Sequence, residues 1–199
     1  MLGDVGCSES ILDGIVADLK GRYQGEYRLE PDGVHYSRGR IMNFWKVNPN
    51  VKALALAPKI LTVLEAVYGR KPLPFQTLNF RVGTVQPAHS DTLHFNSMPA
   101  GYMCGVWVAL EDIDMDSGPV VYYPGSHKLA EITMEDVGRD ADGDYGQDQI
   151  RYSEYITDLI EDEKLEPHYA TLRKGEAFLW AANLLHGGSP RKGTLTRHR

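Results

Sequence analysis

The chain has 199 residues, 42% of them hydrophobic and 24% charged, with a formal net charge of -6, which is enough for one folded domain with a substantial core and no disulfide or metal staples. The acidic balance argues against a nucleic-acid partner, which needs a basic surface, and no apolar run reaches the length of a membrane span. The start of the chain lacks the basic and apolar regions of a secretory leader, and its two cysteines, Cys7 and Cys104, form no CxxC pattern, so a reducing, cytoplasmic setting is expected.

Ser10 and Asp13 have the Ser-x-x-acid spacing of a helix start. Ile11, Leu12, Ile15, Val16 and Leu19 then form one apolar stripe, which predicts a helix near 10–21. Residues 25–50 read as irregular. A second helix is predicted from Pro58 to Tyr68, stopped by Gly69, with Leu61, Leu64, Val67 and Tyr68 as its buried face.

Beyond Pro74 the period shortens. Leu78, Phe80, Val82 and Val85 read as strand, as do 105–110, 120–123, 170–172 and 177–181. Short strands broken by Gly, Pro, Asp and Ser turns predict a sandwich or barrel flanked by helices in a single domain. Residues 130–168 form an insertion. Its first part is acidic and contains glycine, and its second part carries Tyr152, Tyr155, Ile156, Leu159 and Ile160 at helical spacing. Such an excursion is either a lid over a site or a solvated excursion packed on the barrel.

His89-Ser90-Asp91 follows a strand-like run. On extended backbone, residues i and i+2 share a face, so an imidazole and a carboxylate would stand side by side with Ser90 turned away. A further imidazole would complete a facial triad for a divalent first-row metal. His186, after the apolar run 177–181 and before Gly187-Gly188-Ser189-Pro190, is the candidate. A core or turn histidine is the competing reading of His186, and a solvated surface pair that of His89 and Asp91. Arg197 adds a planar guanidinium suited to gripping a carboxylate, with Arg191 and Arg199 as local rivals.

In this order the residues resemble the phytanoyl-CoA dioxygenase family, which includes ectoine hydroxylase. The resemblance rests on His89-Ser90-Asp91, Trp107-Val108-Ala109-Leu110-Glu111-Asp112, Asp116-Ser117-Gly118-Pro119, Tyr123-Pro124-Gly125-Ser126-His127-Lys128 and Leu185-His186-Gly187, across roughly 74–197. It implies a mainly β chain with flanking helices, folded as a double-stranded β-helix (a jelly roll, cupin-like). It also implies Fe(II) held by His89, Asp91 and His186, with 2-oxoglutarate as cosubstrate and O2 as oxidant. The implied activity is hydroxylation of a small-molecule metabolite with release of succinate and CO2.

The family arginine for the distal carboxylate of 2-oxoglutarate falls about eleven residues after the second histidine, which selects Arg197. Asn79 and Trp107 match residues beside the cosubstrate pocket. Many relatives carry Ser or Thr where this chain has Gly188, and Ser189 is the nearest substitute. Relatives also usually continue into another strand past the position of Arg197, so a C-terminal strand is expected to be missing here. The rival readings are a jelly-roll binding protein with a vestigial metal site and a cupin-like metal enzyme that does not use 2-oxoglutarate.

Overall fold

The computed structural model describes residues 1–20, 22, 28–31, 33–37, 39–81, 83–138 and 145–192. Helix α1 (Glu9–Leu19) forms where the apolar stripe predicts it and buries Leu12, Ile15 and Leu19. Strands β1 (Arg28–Leu29), β2 (His35–Ser37) and β3 (Arg40–Met42) occupy the segment read as irregular. They are too short to show a period of two. Helix α2 (Pro49–Ala55) begins on Asn48, whose side chain accepts from the Val51 amide at 2.9 Å, with proline in the first turn.

Helix α3 (Pro58–Tyr68) ends at Gly69, whose φ of 64° and amide bond to the Glu65 carbonyl at 2.8 Å close the last turn. Its contact stripe steps by four, through Ile60, Leu64 and Tyr68. Val67 therefore rotates outward and is 70% exposed, contrary to the expected face.

Strand β4 (Leu78–Phe80) pairs with β3 and completes an antiparallel four-stranded sheet in the order β1-β2-β3-β4. It stops earlier than the sequence pattern implies. Val82 lies outside the described residues, and Val85 has left-handed backbone with φ 48°. Strands β5 (Cys104–Val108) and β8 (Ala177–Ala181) form an antiparallel ribbon. Strands β6 (Val120–Tyr122), β7 (His168–Ala170) and β9 (His186–Gly188) form a third sheet in the order β7-β6-β9. The stretch predicted over 170–172 runs earlier, and Leu172 instead bridges to Ile113.

The β5–β8 ribbon shows how side-chain alternation divides the protein into layers. Cys104, Val106, Val108, Ala177 and Leu179 face outward, onto Ile60 and Leu64 of α3 and onto Val5. Trp107, Phe178 and Trp180 face inward, into a core shared with Val120, Ala170 and Leu172. Each aliphatic side chain fully buried in these layers contributes roughly 1.5–3 kcal/mol. The β5–β8 ribbon and the β7-β6-β9 sheet share this apolar interior, with α3 on the outer face of the ribbon, in a jelly roll. Among the described residues the strands do not close into a continuous barrel.

Helix α4 (Tyr145–Asp162) is the helical part of the insertion. Tyr152 and Ile156 are each 1% exposed and pack with Leu185, Ala88 and Leu93. No described helix is long and apolar enough to cross a membrane.

Candidate metal centre

The histidines predicted to meet do so through backbone pairing. The His89 amide donates to the His186 carbonyl at 2.9 Å, and the His186 amide donates to the His89 carbonyl at 3.0 Å. This antiparallel bridge sets the two imidazoles side by side, with centroids 4.6 Å apart.

The sequence allows that approach because Gly187 and Gly188 follow His186. A Cβ on Gly187 would lie 2.7 Å from the Gln86 carbonyl oxygen, and one on Gly188 would lie 3.0 Å from the Val85 amide nitrogen. The segment leading to His89 therefore crosses β9 where only glycines leave room. The space that a side chain at Gly188 would need is taken by the backbone of Val85 and Gln86.

Asp91 joins the pair by its own backbone bond, its amide donating to the Ala182 carbonyl at 2.8 Å. Ser90 has extended backbone and turns inward, where its hydroxyl meets the Ala182 carbonyl at 3.1 Å and the Thr92 hydroxyl at 2.6 Å. Asp91 Oδ1 ends 3.8 Å from His89 Nε2 and 3.7 Å from His186 Nε2. The three ligating atoms lie within 4.8 Å of one another, and they are the one such group of three or more among the described residues.

The donor chemistry fits a divalent cation. His89 Nδ1 is 2.8 Å from the Pro87 carbonyl, and His186 Nδ1 is 2.9 Å from the Leu184 carbonyl. A carbonyl only accepts, so each Nδ1 carries a proton, and each ring in its neutral form presents an Nε2 lone pair toward Asp91. Burial, and then the neighbouring His186, push the His89 pKa below its ordinary 6.5. Both effects favour the neutral ring that binds metal. His94, a more exposed neighbour, is lowered in the same way, by partial desolvation and by His89.

Parts of the frame were not read from the sequence. Trp180 Nε1 donates to Asp91 Oδ2 at 2.9 Å. The Tyr152 hydroxyl of α4 accepts from the Ser90 amide at 3.1 Å, between the two candidate ligands. Ser126, in the Pro-Gly-Ser-His turn, accepts from the Leu185 amide at 2.9 Å and donates to the Tyr123 carbonyl at 2.7 Å, fixing the residue before His186. His127 of that turn is exposed. Tyr122 stands opposite His186 in the β6–β9 register and lies 4.6 Å from the Phe178 ring.

The predicted cosubstrate residues are spread differently. Trp107 is 4% exposed in the inner core, on the same ribbon face as Trp180. Asn79 is 6% exposed on β4, opposite Ile41. The Ser189 hydroxyl donates to the Pro119 carbonyl at 2.6 Å, and strand alternation turns it from the His186 face. Arg197 lies outside the described residues, as do Arg199 and Arg38. Tyr36 is buried in the core around α1. Phe95, whose amide donates to the Asp91 carbonyl at 3.0 Å, stands near edge-on to Phe75 with centroids 6.5 Å apart.

With this geometry established, known proteins give it a setting. The sequence model of the phytanoyl-CoA dioxygenase (PhyH) family matches residues 29–199. Phytanoyl-CoA dioxygenase domain-containing protein 1 of Danio rerio is 26% identical over 160 residues, covering 75% of this chain and 50% of that protein. Its homolog in Caenorhabditis briggsae is 23% identical over 86 residues, covering 41% of this chain and 30% of that protein. The chain thus matches half or less of the length of these relatives.

Among solved structures, the epimerase SnoN in complex with Fe3+, alpha ketoglutarate and nogalamycin RO superposes with a TM-score of 0.69 at 17% identity, covering 99% of this chain and 74% of that one. EctD from S. alaskensis with 2-oxoglutarate and 5-hydroxyectoine superposes with a TM-score of 0.66 at 18% identity, covering 96% of this chain and 63% of that one. At such identities the likeness speaks for the jelly-roll fold.

Proposed function

Because the chain belongs to the phytanoyl-CoA dioxygenase family, we propose that it is an Fe(II)- and 2-oxoglutarate-dependent dioxygenase, a single domain over 1–199, that hydroxylates a small-molecule metabolite. The observation carrying this reading is the meeting of two Nε2 lone pairs and one carboxylate oxygen, each ligand's other polar atom already hydrogen-bonded. His89, Asp91 and His186 would hold the iron as a facial triad, leaving positions open for exogenous ligands.

With 2-oxoglutarate and O2, iron so held supplies oxidation of a substrate C–H bond coupled to formation of succinate and CO2. The protein's residues orient and shield this chemistry. Arg197 would grip the distal carboxylate of 2-oxoglutarate, with Asn79 and Trp107 lining the cosubstrate side. Ser189, its proton engaged by Pro119, would act through the strand end that it fixes. Phe75 and Phe95 offer half-exposed aromatic surface next to Asp91, which suits a substrate with an apolar portion. That the neighbour SnoN is an epimerase supports product analysis beyond hydroxylation. A cytosolic setting is supported by the free thiols of Cys7 and Cys104.

The test is anaerobic loading with Fe(II) and 2-oxoglutarate, followed by O2 and a panel of metabolites. A visible charge-transfer band and 2-oxoglutarate-dependent succinate are expected, and Asp91→Ala should abolish both. Metal binding without either signal favours a metal enzyme that does not use 2-oxoglutarate. Absence of metal binding favours a binding protein with a vestigial site. Undiminished turnover in Asp91→Ala rejects the ligand assignment.

A further inference from the structure

We infer that Trp180 is a positioning residue of the metal centre: its indole N–H holds Asp91 Oδ2, so that the carboxylate offers Oδ1 alone to the site. The inference rests on the metal-centre reading above. The bond spans 2.9 Å and joins residues 89 positions apart in sequence. A carboxylate ligand on a short side chain can rotate or chelate through both oxygens. A donor on one oxygen removes that freedom and leaves the other, which here sits 3.7–3.8 Å from both Nε2 atoms. On an ion with three protein ligands, a chelating Asp91 would take a further position that a two-point cosubstrate needs.

Trp180 is itself held in place. Gly105 is directly opposite it in the β5–β8 register, and a Cβ there would fall on the indole ring. The missing side chain is the space the ring occupies. One face stacks on Phe178, at 5.3 Å between centroids and 20° between planes. The ring also lies 4.9 Å from that of His186. The indole thus touches one candidate ligand and is hydrogen-bonded to another, a placement that apolar packing alone does not require.

The experiment measures Co(II) affinity by calorimetry in the full-length protein for wild type, Trp180→Phe, Asp91→Ala and the double variant. Phenylalanine keeps the stacking and loses the donor. Trp180→Phe is expected to weaken Co(II) about tenfold, and at least threefold, the scale of lost outer-shell hydrogen bonds. The same substitution should change affinity by less than twofold in the Asp91→Ala background.

A loss below threefold, or an equal loss without Asp91, overturns the proposal while the metal centre stands. Wild type without Co(II) affinity overturns both. Should the Trp180→Phe chain fail to fold, or the Asp91→Ala background bind Co(II) too weakly to titrate, nitrogen-15 spectra of the Asp91→Ala protein decide. The chain has three tryptophans, and one indole N–H signal should move upfield on losing its acceptor. Three unmoved signals overturn the proposal.

Discussion

His89 and His186 exchange both backbone hydrogen bonds of an antiparallel bridge, at 2.9 and 3.0 Å, so the spacing of their imidazoles is set by main chain and not by side-chain packing. What tunes that bridge is the fit of the segment ending at Ala88 over Gly187 and Gly188.

A methyl at Gly187 would meet the Gln86 carbonyl oxygen at 2.7 Å and must displace backbone. Gly187→Ala is expected to cost about 1–3 kcal/mol of stability, as overpacking does. It should also weaken metal binding by moving His89 away from His186. Urea denaturation of the metal-free protein and a metal titration check the two effects. A variant as stable as wild type with unchanged affinity would show that the bridge tolerates movement.

Helix α4 reaches the same segment from behind. Tyr152→Phe deletes the hydroxyl that accepts from the buried Ser90 amide and leaves that donor without a partner. The expected loss is roughly 1–3 kcal/mol, accompanied by weaker metal binding because Ser90 lies between two ligands. An equal fall in stability with wild-type affinity would confine Tyr152 to packing.

How much of this was legible beforehand depends on how local each cause is. The ends of α3 are written in Pro58 and Gly69, and the pairing of His89 with Asp91 follows from a period of two. Which stripe of α3 is buried was not legible, because it is set by Val106 and Leu179 on a distant ribbon. Trp180 gave no local sign either, since its role depends on Gly105 opposite and Asp91 89 residues away. The short strands β1 to β3 carry too few residues for any periodicity, and only the sheet they form defines them.

The state of His89 makes the metal-free protein sensitive to pH. Burial and His186 lower its folded pKa below 6.5, whereas the unfolded chain titrates near the ordinary value. Above about 6.5 the ring is neutral in both states, and this contribution to stability is fully present. As pH falls from there toward the folded pKa, the unfolded state binds a proton that the native state refuses, and stability declines. The urea midpoint should therefore drop between pH 7.5 and 5.5, and His89→Gln should flatten the drop. An equally steep decline in the variant would assign the effect to other groups.

Arg197 is the assignment most directly open to kinetics. A guanidinium binding a carboxylate through two parallel hydrogen bonds contributes roughly 1.5–3 kcal/mol, so Arg197→Ala should raise the KM for 2-oxoglutarate about ten- to hundredfold. Arg197→Lys should recover only part, since an ammonium cannot match the planar fork. Arg191 has an exposed side chain at the end of the segment past β9, and Arg191→Ala should leave that KM within twofold. The reverse pattern, with Arg191 controlling the KM and Arg197 silent, would move the carboxylate grip to the strand end beside Gly118, where the Arg191 backbone already packs within 3.2 Å of a Cβ position.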